Sequence, residues 1–255
     1  MDEVRFLDLE IRSAHMNMAL DEAIMRSIQA GHVPPTLRLY RWQPSAVSIG
    51  TFQGMTEEVD LEYCKRNGID HIRRLTGGGA VYHDYGGEVT YSIILPNDHR
   101  LVSSDIIESY KILCAGVVKA LDILGIDAKF KPINDVVTGG KKISGNAQTR
   151  RRSCVLQHGT TLLDLDVEVM FSVLKVPQEK ISDKMIEDVR QRVTSVREVL
   201  GREVGVDELV VALGDGFGEA LGIELVEGEL SAAEIELAES LVEEKYGRDE
   251  WNLSR

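Results

Sequence analysis

The chain has 255 residues, 43% of them hydrophobic and 28% charged, which is globular composition and enough length for one large domain. Its formal charge of −13 repels phosphate backbones, so nucleic acid is excluded as a default partner and any anion site must be built locally. The apolar runs are too short to cross a bilayer, and the acidic N-terminus MDEVRFLDLE lacks a signal-peptide core, so a cytoplasmic protein with no membrane partner is expected.

In chain order, Val4 to Leu9 predicts a first strand. HMNMALDEAIMRSIQAG predicts a helix, with Met18, Ala19, Ala23, Ile24 and Ile28 at helical spacing and Gly31 as its stop. Pro34-Pro35 forces extended chain into the alternating strand TLRLYRW. AVSIG reads as another short strand and EVDLEYCKRNG as a helix capped by Gly68. DHIRRL is a strand running into three glycines, and GEVTYSIILP is a strand ended by Pro96. Ser104 to Gly125 is a long amphipathic helix interrupted by Glu108, Lys111, Lys119 and Asp122. DAKFKP, NDVVTGGKKISGNAQTR and SCVLQHGTTLLDLD read as strands joined by tight turns, with Gly139-Gly140 a hairpin turn. From Asp166 onward the pattern is almost entirely helical, and Ser231-Ala232-Ala233-Glu234 is a capping box.

Strands in about 1–165 and helices in 166–255, with no Pro/Ser-rich linker between them, predict a single α+β domain over 1–255. Its core is expected to be a mixed, largely antiparallel sheet with flanking helices, not a regular βαβ repeat.

The stretch RRLTGGGAVYHD fails the dinucleotide fingerprint, because Tyr82 stands where the third glycine belongs. Gly140-Lys141 is followed by Lys142, so the Walker pattern fails as well. Three glycines still allow close backbone approach and an anion-binding nest, and Arg74 adds a cation beside them. The bland alternative is a glycine-rich hairpin. In NDVVTGGKKISGNAQ, a lysine beside a hairpin can reach a phosphate or carboxylate oxygen, or it is a solvated charge. Asp135 either orients a donor, ligates Mg²⁺ or caps a turn. His158 interrupts an apolar strand and is either a satisfied core histidine or part of a pocket. Cys64, Cys114 and Cys154 are far apart without a C-x-x-C motif, and each reads as a small buried hydrophobe.

Taken together, RRLTGGGAVYHD, NDVV, GKKISGNAQ and LQHGT resemble lipoate-protein ligases, in order and spacing, across roughly residues 35 to 165. SIGTFQ and the closing DEWN extend the resemblance to nearly the whole chain. It implies a biotin/lipoate protein ligase fold with a core like class II aminoacyl-tRNA synthetases. The implied reaction joins lipoate and ATP to lipoyl-AMP, then passes the lipoyl group to a carrier lysine. The implied carriers are the acyltransferase subunits of 2-oxoacid dehydrogenases and the glycine cleavage H protein.

By the same resemblance, Lys142 would stabilise charge at the acyl-phosphate bridge. Arg74 would bind ligand, and Gly77, Gly78, Gly79, Ala80, Val81 and Tyr82 would line the nucleotide and acyl chain. Asn134 and Asp135 would sit near adenine and Mg²⁺, and His83 and His158 would position. An apolar slot for the lipoyl tail would draw on Ile49, Phe52, Gln53 and Val81. Arg150, Arg151 and Arg152, the only basic triplet, either dock an acidic carrier domain or form a solvated turn. Many ligases of this family continue past EWN into an accessory C-terminal domain. The chain ends at Arg255, so a separate small accessory subunit is expected to support adenylation, and the isolated chain is expected to transfer from lipoyl-AMP.

The nearest rival is an octanoyltransferase of the same fold, which takes octanoate from acyl carrier protein through a cysteine thioester. Its nucleophile lies in an insertion before the lysine hairpin, whereas KFKPINDVVTGGKK has neither insertion nor cysteine. Cys154 lies beyond the lysine, near Arg152, so a role for it stays open. A biotin ligase and a non-catalytic ligand- or carrier-binding protein are the remaining readings.

Overall fold

A computed structural model describes residues 2–164, 166–175 and 190–254. Eleven strands among the described residues form an eight-stranded and a three-stranded sheet. The larger sheet runs β11 (Ile223–Glu227), β1 (Asp2–Arg12), β2 (Thr36–Trp42), β6 (Glu88–Pro96), β10 (Cys154–Leu162), β9 (Lys141–Arg151), β8 (Asp135–Thr138), β7 (Lys129–Lys131). β1 pairs in parallel with β11 and β2, and the other pairs are antiparallel. The sheet is therefore mixed and largely antiparallel, and helices flank it. The smaller sheet has the order β4 (Asp70–Arg73), β3 (Ala46–Ile49), β5 (Val81–His83).

Helix termini follow the local chemistry. Ser13 caps α1 (Ala14–Gln29) by accepting from the Met16 N–H. Gly68 closes α3 (Leu61–Asn67), after the single turn α2 (Met55–Glu58), at φ 63°, where a side chain would be strained. Asp105 caps α4 (Ile106–Ile123), one residue after the expected start. Further on come α5 (Val167–Val173), α6 (Val196–Leu200), α7 (Val206–Leu221) and α8 (Ala232–Leu241). The Ser231 capping box is fully formed. A π-helical turn, Val242–Tyr246, and α9 (Asp249–Asn252) complete the described chain.

Two short strands escaped the sequence reading. Val81–His83 is only three residues long, and Ile223–Glu227 lies in a stretch read as helical. The latter forms the outer strand of the large sheet, beside β1. Part of the helical expectation after Asp166, residues 176–189, lies outside the described residues.

Side-chain alternation places the site. On β6, Val89, Tyr91, Ile93 and Leu95 enter the core under α4 and α7, while Glu88, Thr90 and Ser92 are buried on the opposite face. On β10, Val155 joins that same core, and Leu156 and His158 face the other way, the side on which α1 packs. One face of the sheet is thus largely apolar, with Gln157 buried on it and bonded to Tyr91 Oη. The other is apolar at one end and polar at the end nearest the small sheet. No helix among the described residues is long and apolar enough to cross a membrane.

Candidate active site

Between the polar end of the large sheet and the small sheet lies a cavity of about 300 Å³. Arg74, Gly78, Gly79, Ala80, Val81, Tyr82, His83, Asn134, Lys142 and His158 all line it, so residues 84 positions apart in sequence share one wall. Its apolar lining comes from Met18, Tyr40, Trp42, Leu162, Met170 and Leu174. That corrects the expected apolar slot. Ile49 is fully buried in a separate cluster with Val47, Met55 and Cys64, because β3 alternation turns it away from the cavity. Phe52 is 71% exposed, and Gln53 folds back to accept the Gly50 N–H at 3.0 Å. None of these three lines the cavity; of the four residues expected there, only Val81 does.

Lys142 is held at both backbone groups: its N–H donates to the Arg192 carbonyl at 2.7 Å, and its carbonyl accepts from the Thr194 N–H at 2.8 Å. Its Nζ lies 2.7 Å from Asp135 Oδ1, so the carboxylate expected to take Mg²⁺ is paired with the lysine. Asp135 and Gly77 stand outside the cavity lining. Among the described residues, no three or more His, Cys, Asp or Glu side chains gather to hold a metal. Gly145 lies beneath the lysine: a Cβ there would sit 2.6 Å from both Cε and Nζ.

Arg74 is 5% exposed, and burial lowers its pKa to about 10. Its Nε–H donates to Thr76 Oγ1, its Nη1 to the Ser48 carbonyl and hydroxyl, and its Nη2 to the Gly77 and Gly79 carbonyls. A guanidinium has five N–H groups, and five bonds are made. Arg74 therefore staples the glycine loop to β3. The loop's missing side chains admit protein: a Cβ on Gly78 would meet Arg74 Nη2 at 2.9 Å, and one on Gly50 would meet the Gly78 carbonyl at 2.2 Å.

Both predicted histidines sit in hydrogen-bonded relays. His158 Nδ1 faces Asp21 Oδ2 at 3.3 Å, and Nε2 lies 2.8 Å from the Thr76 hydroxyl. Burial lowers the His158 pKa, against the opposing effect of Asp21. His83 Nδ1 is 2.6 Å from Glu88 Oε1, and Nε2 is 2.8 Å from Ser48 Oγ. The His83 ring stacks on Trp42 at 4.0 Å. Asp21, Ser48, Thr76, Glu88 and Asn146 were missed in the sequence. The signal was present in β6, where Glu88, Thr90 and Ser92 put polar groups at alternate positions of an otherwise apolar strand. Asn146 exchanges hydrogen bonds with Asn134 and accepts from Tyr91 Oη at 2.6 Å; Gly159 leaves room for it, since a Cβ there would lie 2.0 Å from its Oδ1.

The basic triplet is at the far end of the β9–β10 hairpin. Arg152 and Ser153 form its turn at φ 53° and 56°, Arg152 lies 4.0 Å from Glu22, and Arg150 donates to the Ser103 carbonyl. Arg151 is four positions along the strand from Ala147 at the cavity, about 14 Å at the usual rise.

The model for the lipoyl protein ligase A/B catalytic domain matches residues 13–218. The chain belongs to this family. Octanoyltransferase LipM of Brevibacillus brevis is 38% identical over the full length of both chains, and that of Kyrpidia tusciae is 41% identical, also over both full lengths. A solved structure from a bi-partite lipoate protein ligase of Thermoplasma acidophilum, studied with its E2 lipoyl domain, is 40% identical, with 99% of this chain and 97% of that one covered and a TM-score of 0.89. The family places the chain among enzymes with a lipoyl protein ligase A/B catalytic domain. The expectation of an ATP-dependent lipoate ligase is corrected here. Curated relatives that match this chain from end to end are octanoyltransferases, the activity weighed above as the rival.

Proposed function

We propose that this protein transfers an octanoyl group from acyl carrier protein to the acceptor lysine of a lipoyl carrier domain, without ATP. The observation that carries this reading is the end-to-end similarity to octanoyltransferases of two genera. The site is compatible with it. Its volume is at the lower end for small-molecule pockets, and its apolar wall of Met18, Leu162, Met170 and Leu174 suits an alkyl chain. Lys142 supplies a cation at the polar end, where charge develops on a carbonyl oxygen during acyl transfer. Arg74 has its donors committed to protein, and Asp135 is committed to Lys142, so acyl binding rests on apolar contact more than on charge.

Incubation with octanoyl-acyl carrier protein and a lipoyl carrier domain tests the reading. Mass spectrometry should find an octanoyl gain on the carrier without nucleotide. A gain obtained only from the free acid with ATP overturns it.

A further inference from the structure

The acyl slot has a length as well as a lining. The register of the large sheet sets four cavity residues in one row across it: Gly145 opposite Thr160, Thr160 opposite Thr90, and Thr90 opposite Tyr40. Lys142 Nζ lies over the Gly145 end, where a Cβ would be 2.6 Å from it. We propose that this row is a ruler for the acyl chain, read from Lys142 and stopped at about eight carbons by Tyr40, Trp42 and Met18. That the occupant is an acyl chain rests on the transfer reaction proposed above.

Gly145 and Tyr40 are three strand spacings apart, about 14 Å. Carbon–carbon bonds of about 1.5 Å at tetrahedral angles advance about 1.25 Å each, so an extended eight-carbon acyl chain measures about 9 Å from carbonyl to methyl. The terminal methyl then stands about 4 Å from the wall it touches. Together these lengths come to about 13 Å and fill the row. Two further methylenes add about 2.5 Å and overrun it. Among the described residues, none from β1 or β11 lines the cavity, so the slot ends at β2.

The end wall is held in place. Tyr40 is fully buried, its hydroxyl donates to Asp21 Oδ2 at 3.4 Å, and the Arg38 guanidinium lies 4.1 Å from its ring centre. Trp42 is 2% exposed, donates from Nε1 to Thr90 Oγ1 at 2.8 Å and stacks on His83 at 4.0 Å. The two rings are 5.6 Å apart and brace each other. A longer chain cannot push either aside without breaking these contacts. Thr90 also donates to Glu88 Oε1, so its hydroxyl is committed to protein and does not favour a polar occupant at this end. Met18, one turn before Asp21 on α1, packs in the same cluster as Tyr40 and Trp42. Its unbranched side chain carries no such bonds, so it is the member of the wall that can be cut back.

Calorimetry on the unmodified full chain with straight-chain carboxylates of six, eight, ten and twelve carbons tests the ruler, beside transfer assays from the matching acyl-carrier-protein thioesters. Affinity should rise roughly 15-fold from six carbons to eight, the gain of two buried methylenes, and fall about tenfold or more at ten. Met18→Ala should remove that fall, so that ten carbons bind at least as tightly as eight. Met18→Val, which removes less of the core, should shift the limit in the same direction. The ratio between chain lengths is the readout, because a variant that only loosened the fold would weaken every chain alike. Affinity that keeps rising through twelve carbons, no binding of any chain, or a ratio unmoved in both variants overturns the ruler. A limit at eight carbons in binding, with no transfer from any thioester, upholds the ruler and overturns the transferase reading.

Discussion

Lys142 Nζ and Asp135 Oδ1 are 2.7 Å apart, on neighbouring strands joined by the Gly139-Gly140 turn, and the lysine lies flat over Gly145. Both turn glycines have positive φ, 55° and 84°, so the hairpin sets the lysine and its carboxylate side by side. The ammonium is therefore aimed at the cavity by two neighbours, one that attracts it and one that gives way to it.

Gly145→Ala separates position from charge. The new Cβ would lie 2.6 Å from Nζ, and the flexible lysine end would move before the strand does. Transfer is expected to fall about 10²-fold, the cost of roughly 1 Å of misplacement, with thermal stability nearly unchanged. Steady-state assay beside a melting curve checks this. A large loss of stability would show that the strand, not the lysine, had shifted.

The cysteines are expected to be dispensable for chemistry. Burial raises the Cys64 thiol to about 11 and the Cys114 thiol to about 12, and it also raises Cys154. A variant with Cys64→Ala, Cys114→Ala and Cys154→Ala should keep transfer within a few-fold while losing stability through small cavities. Loss of all activity in a folded variant would assign a chemical role to one of the thiols.

Gly50→Ala should be strongly destabilising. Its Cβ would meet the Gly78 carbonyl oxygen at 2.2 Å, backbone against backbone, and neither strand nor loop can yield cheaply. About 1–3 kcal/mol is expected for such overpacking, read as a lower urea midpoint. Gly79→Ala is the control, since nothing lies within 4 Å of its Cβ position.

The closing DEWN segment is a structural clamp. Arg73 is 1% exposed; its backbone N–H donates to Asn252 Oδ1, and its guanidinium reaches the Trp251 and Asn252 carbonyls. Trp251 Nε1 donates back to the Arg73 carbonyl at 2.8 Å. Asn252→Ala leaves the Arg73 N–H and the Tyr246 carbonyl short of a partner, for about 1–3 kcal/mol. Chemical unfolding measures it.

Acid stability should depend on Glu22. Burial acts to raise its pKa, but hydrogen bonds from Lys245, Tyr246 and Arg26 and the Lys245 charge win and hold it at about 2, against an ordinary 4.5. The unfolded chain binds that proton first as pH falls, so this contribution is complete above about 4.5 and is lost as pH drops toward 2. Urea midpoints across that window should decline less steeply in Glu22→Gln than in the unmodified protein.

What the sequence determined by itself is what short-range physics encodes. Alternation in TLRLYRW and GEVTYSIILP gave the central strands, Gly68 and Ser231 gave helix ends, and Gly139-Gly140 gave the hairpin that aims Lys142. Within RRLTGGGAVYHD, Arg74 and Gly78 to His83 line the cavity, and three glycines are costly unless something must lie close. Tertiary structure alone decided what lies close, and it is the Gly50 backbone and the Arg74 guanidinium. It also decided the apolar slot, since Met18 on α1, Leu162 on β10 and Met170 on α5 meet only through long-range packing and no local pattern links them. The Ser48–His83–Glu88 arrangement was hidden for the same reason. Its members lie 35 and five residues apart, and only antiparallel pairing of β3 with β5 sets the hydroxyl against the ring. Side-chain type is written in the sequence, whereas the distance between side chains is fixed by long-range backbone register.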